Sequence, residues 1–143
     1  MEGRKIILAS WVTIAIFAAF VIPDAAGLHA FDGVAVGISL TLFLVSLPIW
    51  LYAWIVAIAR TTRGDDVSVI ALFFLVGSAP KDVRRQLLGA LAVSILIAAG
   101  TAYANPFSVL VPMLPLGFAG LWGARHGVYP SRPAPANTTG GRR

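Results

Sequence analysis

A chain of 143 residues that is 58% hydrophobic and only 12% charged lies far outside the balance of water-soluble domains, and its length leaves room for about one compact unit. The absence of cysteine excludes disulfides, thiolate metal sites and thiol nucleophiles. A net charge of +5 would suit nucleic acid in a soluble protein, but here Lys and Arg stand at the ends of apolar runs, so membrane orientation explains them and no nucleic-acid partner is expected.

The expected fold is an all-α integral membrane protein with four transmembrane helices, at about 6–22, 34–59, 87–104 and 107–124, plus one short re-entrant or interface-buried helix on the cytoplasmic side, at 67–79. Each of the four runs meets the roughly 17 to 25 helical residues that a hydrocarbon core of about 30 Å requires. The first, "IILASWVTIAIFAAFVI", follows Arg4 and Lys5 as the core of a signal peptide would. It continues into "VIPDAAGLHA" without a small-x-small cleavage site, so a retained helix is expected.

The loop "PDAAGLHAFDG" carries Asp24, His29 and Asp32. These are ligand types that divalent metals accept, but their spacing matches no metal motif, and a solvated loop without a metal is expected. In the second run, Gly33 and Gly37 form a GxxxG pair suited to close helix contact. Trp50, Tyr52 and Trp54 gather towards its other end, with Arg60 beyond, as an aromatic belt at the membrane surface would.

Between Arg60 and Gln86 the sequence reads "RTTRGDDVSVIALFFLVGSAPKDVRRQ". Its thirteen mostly apolar residues, 67–79, reach only about 20 Å as a helix, too short to span. If they do not cross, all eleven Lys and Arg fall on one side: Arg4, Lys5, Arg60, Arg63, Lys81, Arg84, Arg85, Arg125, Arg132, Arg142 and Arg143. The positive-inside rule then puts both termini in the cytoplasm of a multi-pass protein of the cell membrane. The segment is apolar all round, so protein should cover it, with Asp65 and Asp66 at its start and Ser78-Ala79-Pro80 breaking it.

On the third run, Ala90, Ser94, Ala98 and Thr101 make a stripe of small or hydroxylated residues. Asn105-Pro106 then makes a tight turn into the fourth. There, "FSVLVPMLPLGFAGLWG" holds Pro112 and Pro115, expected to kink the helix and to free carbonyls one turn earlier. Met113, Gly117, Gly120 and Ala124 share one face. That face is expected to meet the Ala90/Ser94/Ala98 stripe or the same helix of a second copy. After Ala124, "RHGVYPSRPAPANTTGGRR" cannot bury a core and reads as a mobile tail. The membrane domain is accordingly set at 1–129 and a disordered cytoplasmic tail at 130–143, where the glycosylation pattern at Asn137 is set aside because the tail is cytoplasmic.

Chemistry inside the spans is scarce. None of the four runs contains Asp, Glu, Lys, Arg or His, which argues against proton antiporters such as the small multidrug transporters, whose first helix carries a Glu. Lys81, Arg84 and Arg85, at i, i+3 and i+4, together with Arg125, are expected to bind lipid headgroups, anionic ones above all. Arg125-His126 has two readings, a phosphate-holding basic pair and a helix end anchored by Trp122 and Arg125.

"GDDVSVIALFFLVGSAPKDVRRQLLGAL" together with "GLWGARHGVYPSRP" resembles the second half of a group of uncharacterised small membrane proteins of actinobacterial type. The resemblance implies no activity; it joins the short apolar piece and the Arg-His end into one design. The expected function is therefore a non-enzymatic integral membrane protein that associates with itself or with a membrane-protein partner in a larger envelope complex, without catalytic residues or cofactors. The alternative is a small channel or transporter lined by Ser39, Thr41, Ser46, Ser94 and Thr101. An enzyme would have to draw on Asp65, Asp66, Asp82, Arg84, Arg85 and His126.

Overall fold

The computed structural model describes residues 3–133, so Asn137 and the tail from 134 onwards lie outside the described residues. Five α-helices follow in order: α1 (Arg4–Ala25), α2 (Asp32–Thr62), α3 (Val69–Phe73), α4 (Lys81–Thr101) and α5 (Met113–His126). Short 3-10 turns at His29–Phe31 and Pro106–Leu110 lead into α2 and α5. Four helical stretches are long and apolar enough to cross a membrane, namely α1, α4, and α2 and α5 with their leading 3-10 turns.

The start of α1, the end of α2, the start of α4 and the end of α5 converge at one end of the bundle. Gly3 lies against Trp122 and His126 of α5, Arg60 reaches Ala124 and Gly127, and Leu75 packs with Ile7, Val83, Leu87, Ala119 and Trp122. At the opposite end Phe17, Val21, Ala35, Ala98 and Val111 form a second cluster, and the Tyr103 hydroxyl donates to the Ala25 carbonyl.

Most of α5 is buried, and glycine explains how its neighbours come so close. A Cβ on Gly117 would stand 2.9 Å from the Trp50 ring, and one on Gly120 would run into Phe73. At Gly123 the obstacle would be the Leu72 backbone carbonyl itself. The expected small-residue face is therefore filled from within the chain, by α2 and α3 rather than by the stripe on α4. That stripe is also buried, with Ala98 packed on Phe17, Val21 and Val111. Helix α2 shows the same logic: its buried residues are Ala35, Ser39, Ser46, Ala53 and Ala57, all small, which lets it lie close on α5.

Several boundaries differ from expectation, each for a local reason. Helix α4 starts at Lys81, ahead of the apolar run at 87–104 but where the break at Ser78-Ala79-Pro80 and the helical spacing of Lys81, Arg84 and Arg85 put it, with Asp82 suited to a first turn. Pro112 and Pro115 do not kink a long helix but begin one: Pro112 precedes α5 and Pro115 sits in its first turn, where no intrahelical N–H is needed. The carbonyls that these prolines would have left free are used, Ser108 O by the Val111 N–H (3.1 Å) and Val111 O by the Leu114 N–H (2.9 Å).

The short segment is helical only over Val69–Phe73, capped by Ser68, whose Oγ accepts the Ala71 N–H (3.1 Å), and not by the aspartates. It ends before Ser78, at Phe74 and at Leu75, whose φ of 56° is left-handed. A branched side chain tolerates that conformation poorly, and the complete burial of Leu75 in the core holds it there. Protein covers one face of the segment, through Leu72, Phe73, Leu75 and Ser78, and not all of it. Val69, Ile70, Phe74 and Val76 point outwards.

Candidate functional site

The end of the bundle that gathers the basic residues is organised around Arg60. Its Nε donates to Asp65 Oδ2 (2.8 Å) and its Nη1 to the carbonyls of Gly127 (2.7 Å) and Ala124 (3.2 Å). These are acceptors that the end of α5 leaves over, and a guanidinium suits them by charge as well as by geometry. The same guanidinium lies 4.8 Å from the centre of the Tyr129 ring. Tyr129 is buried and donates through its hydroxyl to the Gly123 carbonyl (3.0 Å). Burial pushes the Tyr129 phenol above its ordinary value, opposed by its hydrogen bond with Ser78 and by the Arg60 charge, with Asp65 adding a smaller upward push.

Residues 127–133 are consequently not a loose tail. Val128 N–H donates to Ser78 O, Asp66 N–H to Pro130 O and Arg132 N–H to Gly64 O, each at 2.8 Å. Asp65 and Ser131 form an isolated antiparallel bridge. The strap thus holds both flanks of the α3 loop at one end of the bundle.

Trp50 departs from a surface belt. It is half-buried, donates from Nε1 to the Met113 carbonyl (2.8 Å) and stacks on Phe73 with ring centroids 4.4 Å apart. Trp54 leans on the same Phe73 at 5.6 Å. Trp54 and Tyr52 remain partly exposed, as a belt would require.

The four residues expected to bind headgroups do not form one cluster. Lys81, Arg84 and Arg85 are exposed on the first turns of α4. Arg125 instead lines two grooves on the end of α5. One, of about 450 Å³, is shared with Tyr52, Val56, Arg60, Arg63, Asp65 and Ala124. The other, of about 510 Å³, is formed with Gly3, Arg4, Lys5, Ile6 and His126. His126 itself lies 5.6 Å from the Trp122 ring. The polar residues that an enzyme would need are dispersed, Asp65 in the first groove, His126 in the second, and Asp66 in a third beside Tyr129 and Ser78.

At the opposite end, His29 Nδ1 stands 3.5 Å from Asp32 Oδ2 on exposed side chains, and the Asp24 side chain meets Asp32. Among the described residues, no group of three His, Asp or Glu is placed to hold a metal ion. The hydroxyls proposed for a solute path are engaged: Ser46 donates to Phe43 O (2.5 Å), Ser94 to Leu91 O (2.7 Å), Thr41 to Gly37 O (2.7 Å) and Thr101 to Ile97 O (2.7 Å). Ser39 Oγ accepts from Asn105 Nδ2 (3.0 Å). Asn105 is fully buried, and its Oδ1 also caps the following 3-10 turn through the Phe107 N–H (3.1 Å). Sequence reasoning saw Asn105 only as a turn former; its lone amide between two apolar runs was the available signal for this cross-link.

Comparison of the chain with protein-family models, with curated proteins and with solved structures finds no match.

Proposed function

We propose that this is a non-enzymatic, multi-pass protein of the cell membrane that works by association, with itself or with a membrane-protein partner in a larger envelope complex. In this reading four spans cross the bilayer and the basic end faces the cytoplasm. The supporting observation is the separation of charge along the bundle. Arg4, Lys5, Arg60, Arg63, Lys81, Arg84, Arg85 and Arg125 belong to the helix ends and the loop that converge at one end, whereas Asp24, His29 and Asp32 lie at the other. A bilayer that favours Lys and Arg on its cytoplasmic side accounts for that asymmetry, and anionic headgroups are then natural neighbours of Lys81, Arg84, Arg85 and Arg125.

Association has to use a surface that internal packing leaves over, since Gly117, Gly120 and Ala124 are consumed by α2 and α3. The outer face of α2 offers one such surface, with Leu44, Leu47, Leu51, Ile55 and Ile58 exposed. Within it, Gly33 and Gly37 have nothing within 4 Å, leaving a notch where another helix can approach. Because the chain contains no cysteine, single cysteines at 33, 37, 44 and 51 test this cleanly in native membranes. Oxidative cross-linking at 33 and 37, or a stable larger complex in mild detergent, supports the proposal. A 15.1 kDa monomer without cross-links or partner contradicts it.

A further inference from the structure

We propose that the groove between the first turn of α1 and the last turn of α5 is a binding site for a phosphate group. Four basic side chains line it, Arg4, Lys5, Arg125 and His126. They come from opposite ends of the chain, and Gly3 is what brings them together. With a φ of 68° and no side chain, Gly3 lets α1 begin directly against Trp122 and His126, where any Cβ would collide with both rings. The sequence pairs "GRK" near its start with "ARHG" after the last span, and neither motif announces the other.

Three features select an anion such as a phosphate rather than a cation. Arg4, Lys5 and Arg125 have no carboxylate partner among the described residues. This contrasts with the neighbouring groove, where Asp65 already holds Arg60. Gly3 offers no side chain to cap α1, and its carbonyl takes the Ile6 and Ile7 N–H groups (2.9 and 3.3 Å), which leaves those of Arg4 and Lys5 at the start of a 22-residue helix to add their partial positive charge to the same space. At about 510 Å³ the groove falls in the range of small-ligand sites. Two guanidiniums offer paired donors that match the oxygens of a phosphate, and an ammonium adds charge. A phosphate there has two conceivable sources, a phospholipid headgroup and a soluble phosphate compound. The position of the groove at the ends of α1 and α5 favours the lipid.

The inference rests on the membrane reading above, but its test does not depend on how the chain inserts. Purified protein in a neutral detergent is titrated with short-chain phosphatidylglycerol and, separately, with inorganic phosphate, and binding is followed by native mass spectrometry and calorimetry. Arg4→Gln/Arg125→Gln should weaken binding by about tenfold or more. Arg125→Gln alone should weaken it less, and Arg132→Gln, which removes the same charge outside the groove, should leave it within about twofold. All three side chains replaced are exposed, and matching melting curves confirm intact folds. Saturable phosphatidylglycerol binding with this arginine dependence supports the lipid as occupant. The same dependence for inorganic phosphate alone supports a soluble phosphate compound. Absence of binding by both probes, or binding that Arg4→Gln/Arg125→Gln leaves unchanged, overturns the site even if cross-linking upholds association.

Discussion

Gly123→Ala is a one-carbon test of how α3 is held. The new methyl would stand well under 3.0 Å from the Leu72 carbonyl oxygen, whereas ordinary carbon-to-oxygen contacts lie at roughly 3.3 Å or more. A backbone atom cannot swing aside as a side chain does, so α3 and α5 must separate by about 1 Å, and a gap of that size forfeits a quarter to a half of the dispersion attraction across it. The atoms affected include Leu72 and Phe73, which pack on Ala57 and Ala124. Overpacking of this kind costs about 1–3 kcal/mol, against a gain of up to about 1 kcal/mol from replacing a helical glycine by alanine. The net expectation is a loss of about 1–2 kcal/mol, read as a lower melting temperature in detergent and faster proteolysis of the 64–80 loop. Gly100→Ala on α4, with nothing within 4 Å of its added carbon, is the control and should melt at or above the parent. A Gly123→Ala protein that behaves like Gly100→Ala would refute the close approach of α3 to α5.

Arg60→Lys should destabilise the cap almost as much as Arg60→Met, by about 1–3 kcal/mol in detergent melting, because one ammonium cannot serve Asp65, two carbonyls and the Tyr129 ring together. Tyr129 carries a raised value in the folded protein, so its contribution is intact below the ordinary 10.0 and fades as the pH climbs through the raised value. Melting curves of the parent should therefore drop above pH 10 more steeply than those of Tyr129→Phe, which has nothing to ionise. Asn105→Leu keeps the branched heavy-atom shape, with bulkier methyl groups, but leaves the Phe107 N–H and Ser39 without their partner. A loss of about 1–3 kcal/mol is expected, and an additional Ser39→Ala should recover part of it.

The apolar runs made the helix count legible, because length and hydropathy alone decide what fits a bilayer. Burial of Gly117, Gly120 and Ala124 could likewise be read from their common face. What meets that face could not, since glycine admits any neighbour and only the folded chain shows Trp50 and Phe73 filling it. Pro112 and Pro115 were ambiguous for a related reason: the same missing N–H kinks a helix in its middle and is harmless in its first turn. The basic end was legible as charge, yet not as structure. Arg60 looks like any orientation signal until its acceptors, more than sixty residues away, come into place. The strap was hidden by composition, because among 127–133 Tyr129 is the one large side chain that it buries and the rest is held by backbone hydrogen bonds to another loop, which side-chain patterns do not encode.

In the proposed topology four helices cross and α3 does not, so that the whole basic end faces the cytoplasm. Reporter fusions after Ala30, Arg63, Lys81 and Arg132 test it directly. Outside, inside, inside and inside are expected, in that order. An outside signal at Lys81 would mean that the 67–79 segment crosses the bilayer, and it would contradict both the topology and the placing of Arg4, Lys5 and Arg125 on one membrane face.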